Sequence, residues 1–281
     1  MTTLIISVAA LVTVASAVRS TWSPCGLSML ASITPLSETG RGNRFGATAG
    51  WFVVGSTAGG LTLGVCVAAL AAGVHGLALS STAVGVAALA TAVVAAASDT
   101  GVKGLRVPVH HRQVNERWLD QFRPWVYAAG FGWQIGTGVA TYITTAAVYL
   151  LIVLGVLGGS PVGALALGIG FGLVRGLSVL LGRNITDPEA LRAFHRRFVD
   201  AGPKVSRVTV LTEVAAADAV GWMLSPRIGL LVTGALAVAG VIVLRRRAVV
   251  RATATATVDD RCASTGIRVG DAGHLEGVTV Q

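Results

Sequence analysis

Charge is what this sequence most lacks. Only 12% of its 281 residues are charged, against about a quarter in a soluble domain, and so sparse a supply cannot cover a surface that meets water on every side. Residues 45–98, 124–174 and 228–244 contain no Asp, Glu, Lys or Arg at all. Roughly 20 consecutive apolar residues cross ~30 Å of hydrocarbon, so each of the first two stretches has room for two crossings. Cysteine is almost as rare: Cys25, Cys66 and Cys262 are too few and too scattered for a disulfide framework or a zinc site, whose ligands cluster. Also missing are a Walker loop, a dinucleotide fingerprint in a strand–helix context and a nucleophile–base pair. These absences argue against a soluble-type enzyme, and no cofactor or metal is expected.

What is present is Ala, Val, Leu and Gly, the last 36 times. Small residues let transmembrane backbones approach where lipid supplies no hydrophobic drive between helices. Gly55, Gly59 and Gly64, with Gly60 beside them, form such a packing stripe. The net charge of +9 sits in the loops and at the ends of apolar runs, where membrane topology explains it better than nucleic acid does. The expected fold is an all-α, polytopic membrane helix bundle.

The spans read as about 3–36, 47–72, 77–97, 125–150, 162–181, 208–224 and 228–244 within a transmembrane domain 1–247, followed by a disordered cytoplasmic tail 248–281. The first run is too long for one straight crossing, and Pro24-Cys25-Gly26 offers a break; removal of Met1–Ala17 at the small-residue site Ala15-Ser16-Ala17 is the rival account. Gly130, Gly132, Gly136 and Gly138 mark a loosened start to span four, and a short outer turn containing His75 joins spans two and three. A capping box at Thr186–Glu189 opens an amphipathic helix, 187–201, that Gly202-Pro203 should stop; Leu191, Phe194, Phe198 and Val199 line one face, and Arg192, Arg196 and Arg197 line the other. That arrangement suits a bilayer with anionic headgroups. A weaker version is Val114, Trp118, Leu119 and Phe122 among Arg112, Arg117 and Arg123. Residues 208–224 carry Glu213 and Asp218: if they cross, the chain has seven spans and Arg245-Arg246-Arg247 falls inside, and if not, six. The Lys and Arg residues alternate between loops, as expected for an inner (plasma) membrane protein with its N-terminus outside and its C-terminus in the cytoplasm.

Thr21-Trp22-Ser23-Pro24-Cys25-Gly26-Leu27-Ser28-Met29, with Pro35 beyond it, resembles the first-helix signature of the cytochrome c biogenesis (CcdA) and DsbD-type membrane proteins. The resemblance implies two inverted three-helix repeats, each opening with a broken helix that carries one cysteine, and passage of reducing equivalents through the pair. Phe131-Gly132-Trp133 resembles the family's broken fourth helix, but Ile135 and Gly136 stand where proline and cysteine would be expected. One cysteine cannot complete an intramolecular dithiol–disulfide cycle, so that mechanism does not transfer as it stands.

Three functions follow as expectations. The first is translocation of a small solute or ion near the midplane, where unwound backbone at Pro24, Cys25 and Gly26 and at Gly132, Gln134, Gly136 and Gly138 binds cargo. The second is a thiol–disulfide conduit using Cys25 with Cys66 or a thioredoxin-like partner; Arg19 would favour its thiolate if near, or else snorkel to an interface. The third is a non-catalytic subunit anchoring another membrane complex. His110, His111 and His195 read as surface residues, and Trp22, Trp51, Trp118, Trp125 and Trp222 as an interfacial belt. Arg175 interrupts span five roughly 12 Å above Arg183, too deep for snorkelling. Glu213 and Asp218 bracket that depth, and an ion pair between Arg175 and one of them is expected.

Overall fold

The computed structural model describes residues 2–102 and 117–238, and every regular element among them is helical. The expected calls at Lys103, Arg106, His110, His111, Arg112, Val114, residues 239–244, Arg245–Arg247, Cys262 and the tail 248–281 lie outside the described residues.

The first apolar run is cut twice, each time by a hydroxyl residue followed by proline. Helix α1 (Thr2–Thr21) ends before Ser23, whose hydroxyl accepts the Gly26 N–H at 3.1 Å and caps α2 (Pro24–Ser32). Thr34 does the same for the Ser37 N–H at 3.1 Å and caps α3 (Pro35–Gly40). Proline is suited to the first helical position, where its missing N–H costs nothing. Then come α4 (Phe45–Gly76) and α5 (Ser81–Asp99), the short α6 (Trp118–Gln121), α7 (Pro124–Gly136), α8 (Ala147–Leu157), α9 (Pro161–Leu177) with a 3-10 extension Ser178–Gly182, α10 (Pro188–Leu224) and α11 (Pro226–Val238).

Among the described residues, four helices are long and apolar enough to cross a membrane: Thr3–Thr21, Phe45–Gly76, Ser81–Asp99 and Pro161–Gly182. They correspond to expected spans one, two, three and five. Span four is instead two shorter helices, α7 and α8, separated by an unwound segment. The loosening lies later than expected, at 137–146, because Gly130, Gly132 and Gly136 are helical. The amphipathic helix and span six are also not separate: α10 runs unbroken through Gly202-Pro203 for 37 residues. An internal proline costs a helix about 3 kcal/mol, and here tertiary contacts hold that region. Trp22 stacks on Phe198 with ring centroids 4.4 Å apart, and its indole N–H donates to the Phe198 carbonyl at 2.7 Å. Trp22, half-buried, thus braces the first break against α10. Similarly, Trp118 stacks on Phe131 at 5.9 Å and, with Leu119, packs against the bundle.

The glycine stripe of α4 decides the packing. A Cβ on Gly55 or Gly59 would collide with the α7 carbonyls of Ala129 and Trp133, and one on Gly60 with Gly168 of α9. Reciprocally, Gly132 and Gly136 lie against Phe52 and Ser56, and Gly168 and Gly172 against Gly60 and Ser56. Ser56 Oγ donates to the Gly172 carbonyl at 2.6 Å, joining α4 to α9. Around this tight centre, α5 packs on α10, and α1 packs on α8, α9 and α10. Leu11, Val65 and Leu70 stay largely exposed, an apolar outer face that suits lipid.

Contacts divide the chain into Met1–Leu230 and Leu231–Gln281. The described part of the second unit is the helical stretch 231–238; the rest of this account concerns the first.

Candidate functional site at the helix breaks

Arg175 is the one charged residue of α9 and the largest fully buried side chain among the described residues, 1% exposed. Its Nη1 donates to the Ile135 carbonyl at 2.6 Å and its Nη2 to the Ser20 carbonyl at 3.0 Å. The guanidinium also stands 5.7 Å from the centroid of the Phe171 ring. Both carbonyls lie in the last turn of a helix that breaks, where the Ser20 carbonyl is left without a backbone donor and the Ile135 carbonyl accepts the Gly138 N–H of the closing turn at 3.2 Å. The cause is local in each case. Four residues beyond Ser20 is Pro24, which has no N–H to give; four beyond Ile135 is Val139, whose N–H bonds to the Thr137 carbonyl at 2.8 Å. A helix C-terminus carries about −0.5 charge, so two of them match one guanidinium.

This arrangement overturns the expected ion pair. Arg175 is neutralised by backbone, and it bonds to neither Glu213 nor Asp218. Glu213 lies on α10, 0% exposed, with no hydrogen-bond partner for either oxygen. Asp218 is half-buried one to two turns further along the same helix.

The break in the first span meets the break in the fourth at Arg175. A cavity of ≈ 10 Å³ adjoins it, bounded by Thr21, Gly26, Phe52, Ile135 and Ser178, about the volume that one water needs. Arg175 Nε has no protein partner. Gly26 is required here, because a Cβ would strike the Thr21 carbonyl as the chain folds back into α2. Cys25 is buried and within electrostatic reach of Arg175. Of the three residues Pro24, Cys25 and Gly26, Gly26 lines the cavity beside Arg175, Cys25 acts on it electrostatically, and Pro24 is exposed at the head of α2. Gly132 and Gly136 serve helix packing, Gln134 is half-buried and contributes its carbonyl to Thr137 Oγ1 at 2.8 Å, and Gly138 enters the unwound segment at φ +71° against Phe171.

The unwound segment is held from α5. Asp99 accepts the Ala146 N–H at 2.8 Å and the Thr145 hydroxyl, capping the start of α8. Arg19, half-buried, interacts electrostatically with Asp99 and donates to the Trp22 carbonyl at 3.5 Å. The Thr141 and Thr144 hydroxyls are buried without partners. Sequence reasoning missed Asp99 and this threonine cluster, although four threonines between 137 and 145 in an otherwise apolar run were a readable signal. It also missed Glu38, 0% exposed, which accepts from Tyr127 Oη at 2.8 Å, Thr48 Oγ1 at 2.9 Å and Arg41 Nη1 at 3.0 Å. Cys25 and Cys66 are not joined in a disulfide, and Cys66 is exposed on α4. No group of three or more His, Cys, Asp or Glu side chains able to hold a metal occurs among the described residues. His195 Nδ1 contacts the Leu191 carbonyl of its own helix at 3.2 Å.

No protein family, curated protein or solved structure matches the chain. Its function therefore rests on the site itself.

Proposed function

We propose that this integral membrane protein moves a small solute or ion through a broken-helix bundle, with cargo handled where the two breaks converge. The observation that carries this reading is the pair of hydrogen bonds that Arg175 donates to the Ser20 and Ile135 carbonyls. Non-helical backbone at membrane depth persists only where protein or a water-lined cavity satisfies it, and helix ends meeting at midplane are the usual means of holding an ion or charged solute. A single cation tied to both breaks couples their movements. The unwound segment 137–146, with the buried free hydroxyls of Thr141 and Thr144, supplies polar lining that an inert bundle has no use for.

The architecture that best suits this role is a pair of inverted repeats, residues 1–99 and 124–224. Supporting it, α4 pairs with α9 and α5 with α10, while α4–α7 contact is mirrored by α9–α1. The orientation that fits the basic loops places the N-terminus outside the inner membrane and the loop before α10, with Arg183, inside. A Cys25–Cys66 redox cycle draws less support, since one thiol is buried beside Arg175 and the other faces outward from α4.

Cysteine accessibility tests the reading without knowledge of the cargo. In a cysteine-free background, Thr141→Cys and Thr144→Cys are expected to react with a membrane-impermeant thiosulfonate in vesicles, and Val65→Cys on the exposed face of α4 is expected not to. If neither threonine position reacts from either side of the membrane, no aqueous pathway reaches the break and translocation is wrong.

A further inference from the structure

Glu213 has no part in the Arg175 site, yet it is the more costly group to bury. It sits on the inner face of α10, one turn before Ala216 and Ala217, which join the apolar core shared with Ala92 and Ala95 of α5 and Ala9 of α1. Both carboxyl oxygens are buried and without a partner. The charged groups around it are few. On α5 the sole one is Asp99, whose oxygens are committed to Thr145 and Ala146. On α1 the sole one is Arg19, engaged with Asp99 and the Trp22 carbonyl. On α10 itself the nearest in sequence are Arg207, which is exposed, and Asp218, which is half-buried and lies off the face of Glu213.

An ionised carboxylate without donor or cation is not tolerated in such a place, so the site must bind a cation or carry a proton. A metal cation needs a cage of several oxygens, and among the described residues neither Glu213 oxygen has a hydrogen-bond partner and no group of three or more His, Cys, Asp or Glu side chains could hold a metal. A proton needs no cage. We propose that Glu213 is a proton-binding site, protonated while α10 packs against α5 and α1 as here, and releasing its proton to water when α10 moves away. Release places a second negative charge near Asp99, whose charge already acts on Glu213. The repulsion drives α5 and α10 apart, and because Asp99 also caps α8, it reaches the unwound segment. The use of the proton, to couple cargo movement, rests on the translocation reading; its binding does not.

The test is infrared difference spectroscopy of the full-length protein in lipid nanodiscs, titrated from about pH 5 to about pH 10, a range that includes buried carboxyls shifted by several units. The expected result is a protonated-carboxyl carbonyl band present at neutral pH and lost at the alkaline end. Glu213→Gln, neutral and of the same shape, should abolish the band, and Glu213→Asp should move its frequency. A wild-type spectrum with no such band at neutral pH, or a band that persists unchanged in folded Glu213→Gln, overturns the proposal, and the first of these needs no variant to fold. A band that never titrates over the whole range overturns it as well, because the group would then be locked. Absence of the band from the wild-type protein at neutral pH, with Thr141→Cys still reactive, would remove the proton site and leave translocation standing; a titrating band with neither Thr141→Cys nor Thr144→Cys reactive would do the reverse.

Discussion

At the scale of single residues, Arg175 shows how a buried cation is stabilised without a carboxylate. Its partners are the Ser20 carbonyl, left over by Pro24, and the Ile135 carbonyl at the turn after Gly136. Removing it strands the Ser20 carbonyl at about 1–3 kcal/mol and takes from the Ile135 carbonyl a bond to a charged donor worth about 1.5–3 kcal/mol, leaving it the Gly138 N–H. Arg175→Ala should therefore lower stability by about 2–6 kcal/mol, read as a fall in thermal midpoint and yield in detergent. Arg175→Lys should fall between, since an ammonium lacks the planar fork that spans both carbonyls. The exchange Arg175→Asp with Asp218→Arg should show no rescue over Arg175→Asp alone; recovery would restore the ion pair that the carbonyl bonds replace.

At the scale of elements, backbone contact between α4, α7 and α9 replaces side-chain interlocking. Gly60 on α4 and Gly168 on α9 face each other's backbones, which cannot yield as a flexible side chain would. Gly60→Ala should cost at least the 1–3 kcal/mol of ordinary overpacking. Gly73, on the same helix with nothing within 4 Å of its added Cβ, is the control: Gly73→Ala should be neutral or stabilising by up to about 1 kcal/mol. Equal effects of the two changes, compared by thermal unfolding, would show that close approach does not govern the pairing. The same logic explains α10. Its amphipathic first half and its Glu213-bearing second half form one rod because Trp22, at the first break, grips Phe198 a turn before Pro203.

At the scale of the whole molecule, Arg175 ties the first helix break to the fourth, and Asp99 holds the far end of the segment that unwinds there; the proposed translocation reading makes these a polar path through an otherwise apolar bundle. On that reading, movement at either break passes through Arg175, as alternating access requires. The proposed orientation makes this path cross from an outer turn at Ser160 to an inner loop at Arg183. An alkaline phosphatase reporter fused at Ser160 should be active, which requires an external location, and one fused at Arg183 should be inactive. The opposite pattern would invert the molecule, and activity at both sites would mean that α9 does not cross.

The sequence by itself determined that the chain is a bundle of apolar helices, because charge density and run length depend only on composition and order. It also determined the first break of the first span, since Ser23-Pro24 ends a helix through local chemistry, and which glycines of α4 form a packing stripe; the second break, at Thr34-Pro35, shows only in the structure. It could not determine that the fourth span unwinds after Gly136 rather than before, because glycine signals both loosening and close approach, and only the neighbouring Phe52 and Ser56 show which applies. Nor could it pair Arg175. Depth along a helix pointed to Glu213 and Asp218, but the choice of partner depends on which helix ends converge in space, and two carbonyl termini arrive before any carboxylate does. The isolation of Glu213 is likewise a tertiary fact: being unpartnered is a property of everything packed around a residue, and no stretch of sequence contains it.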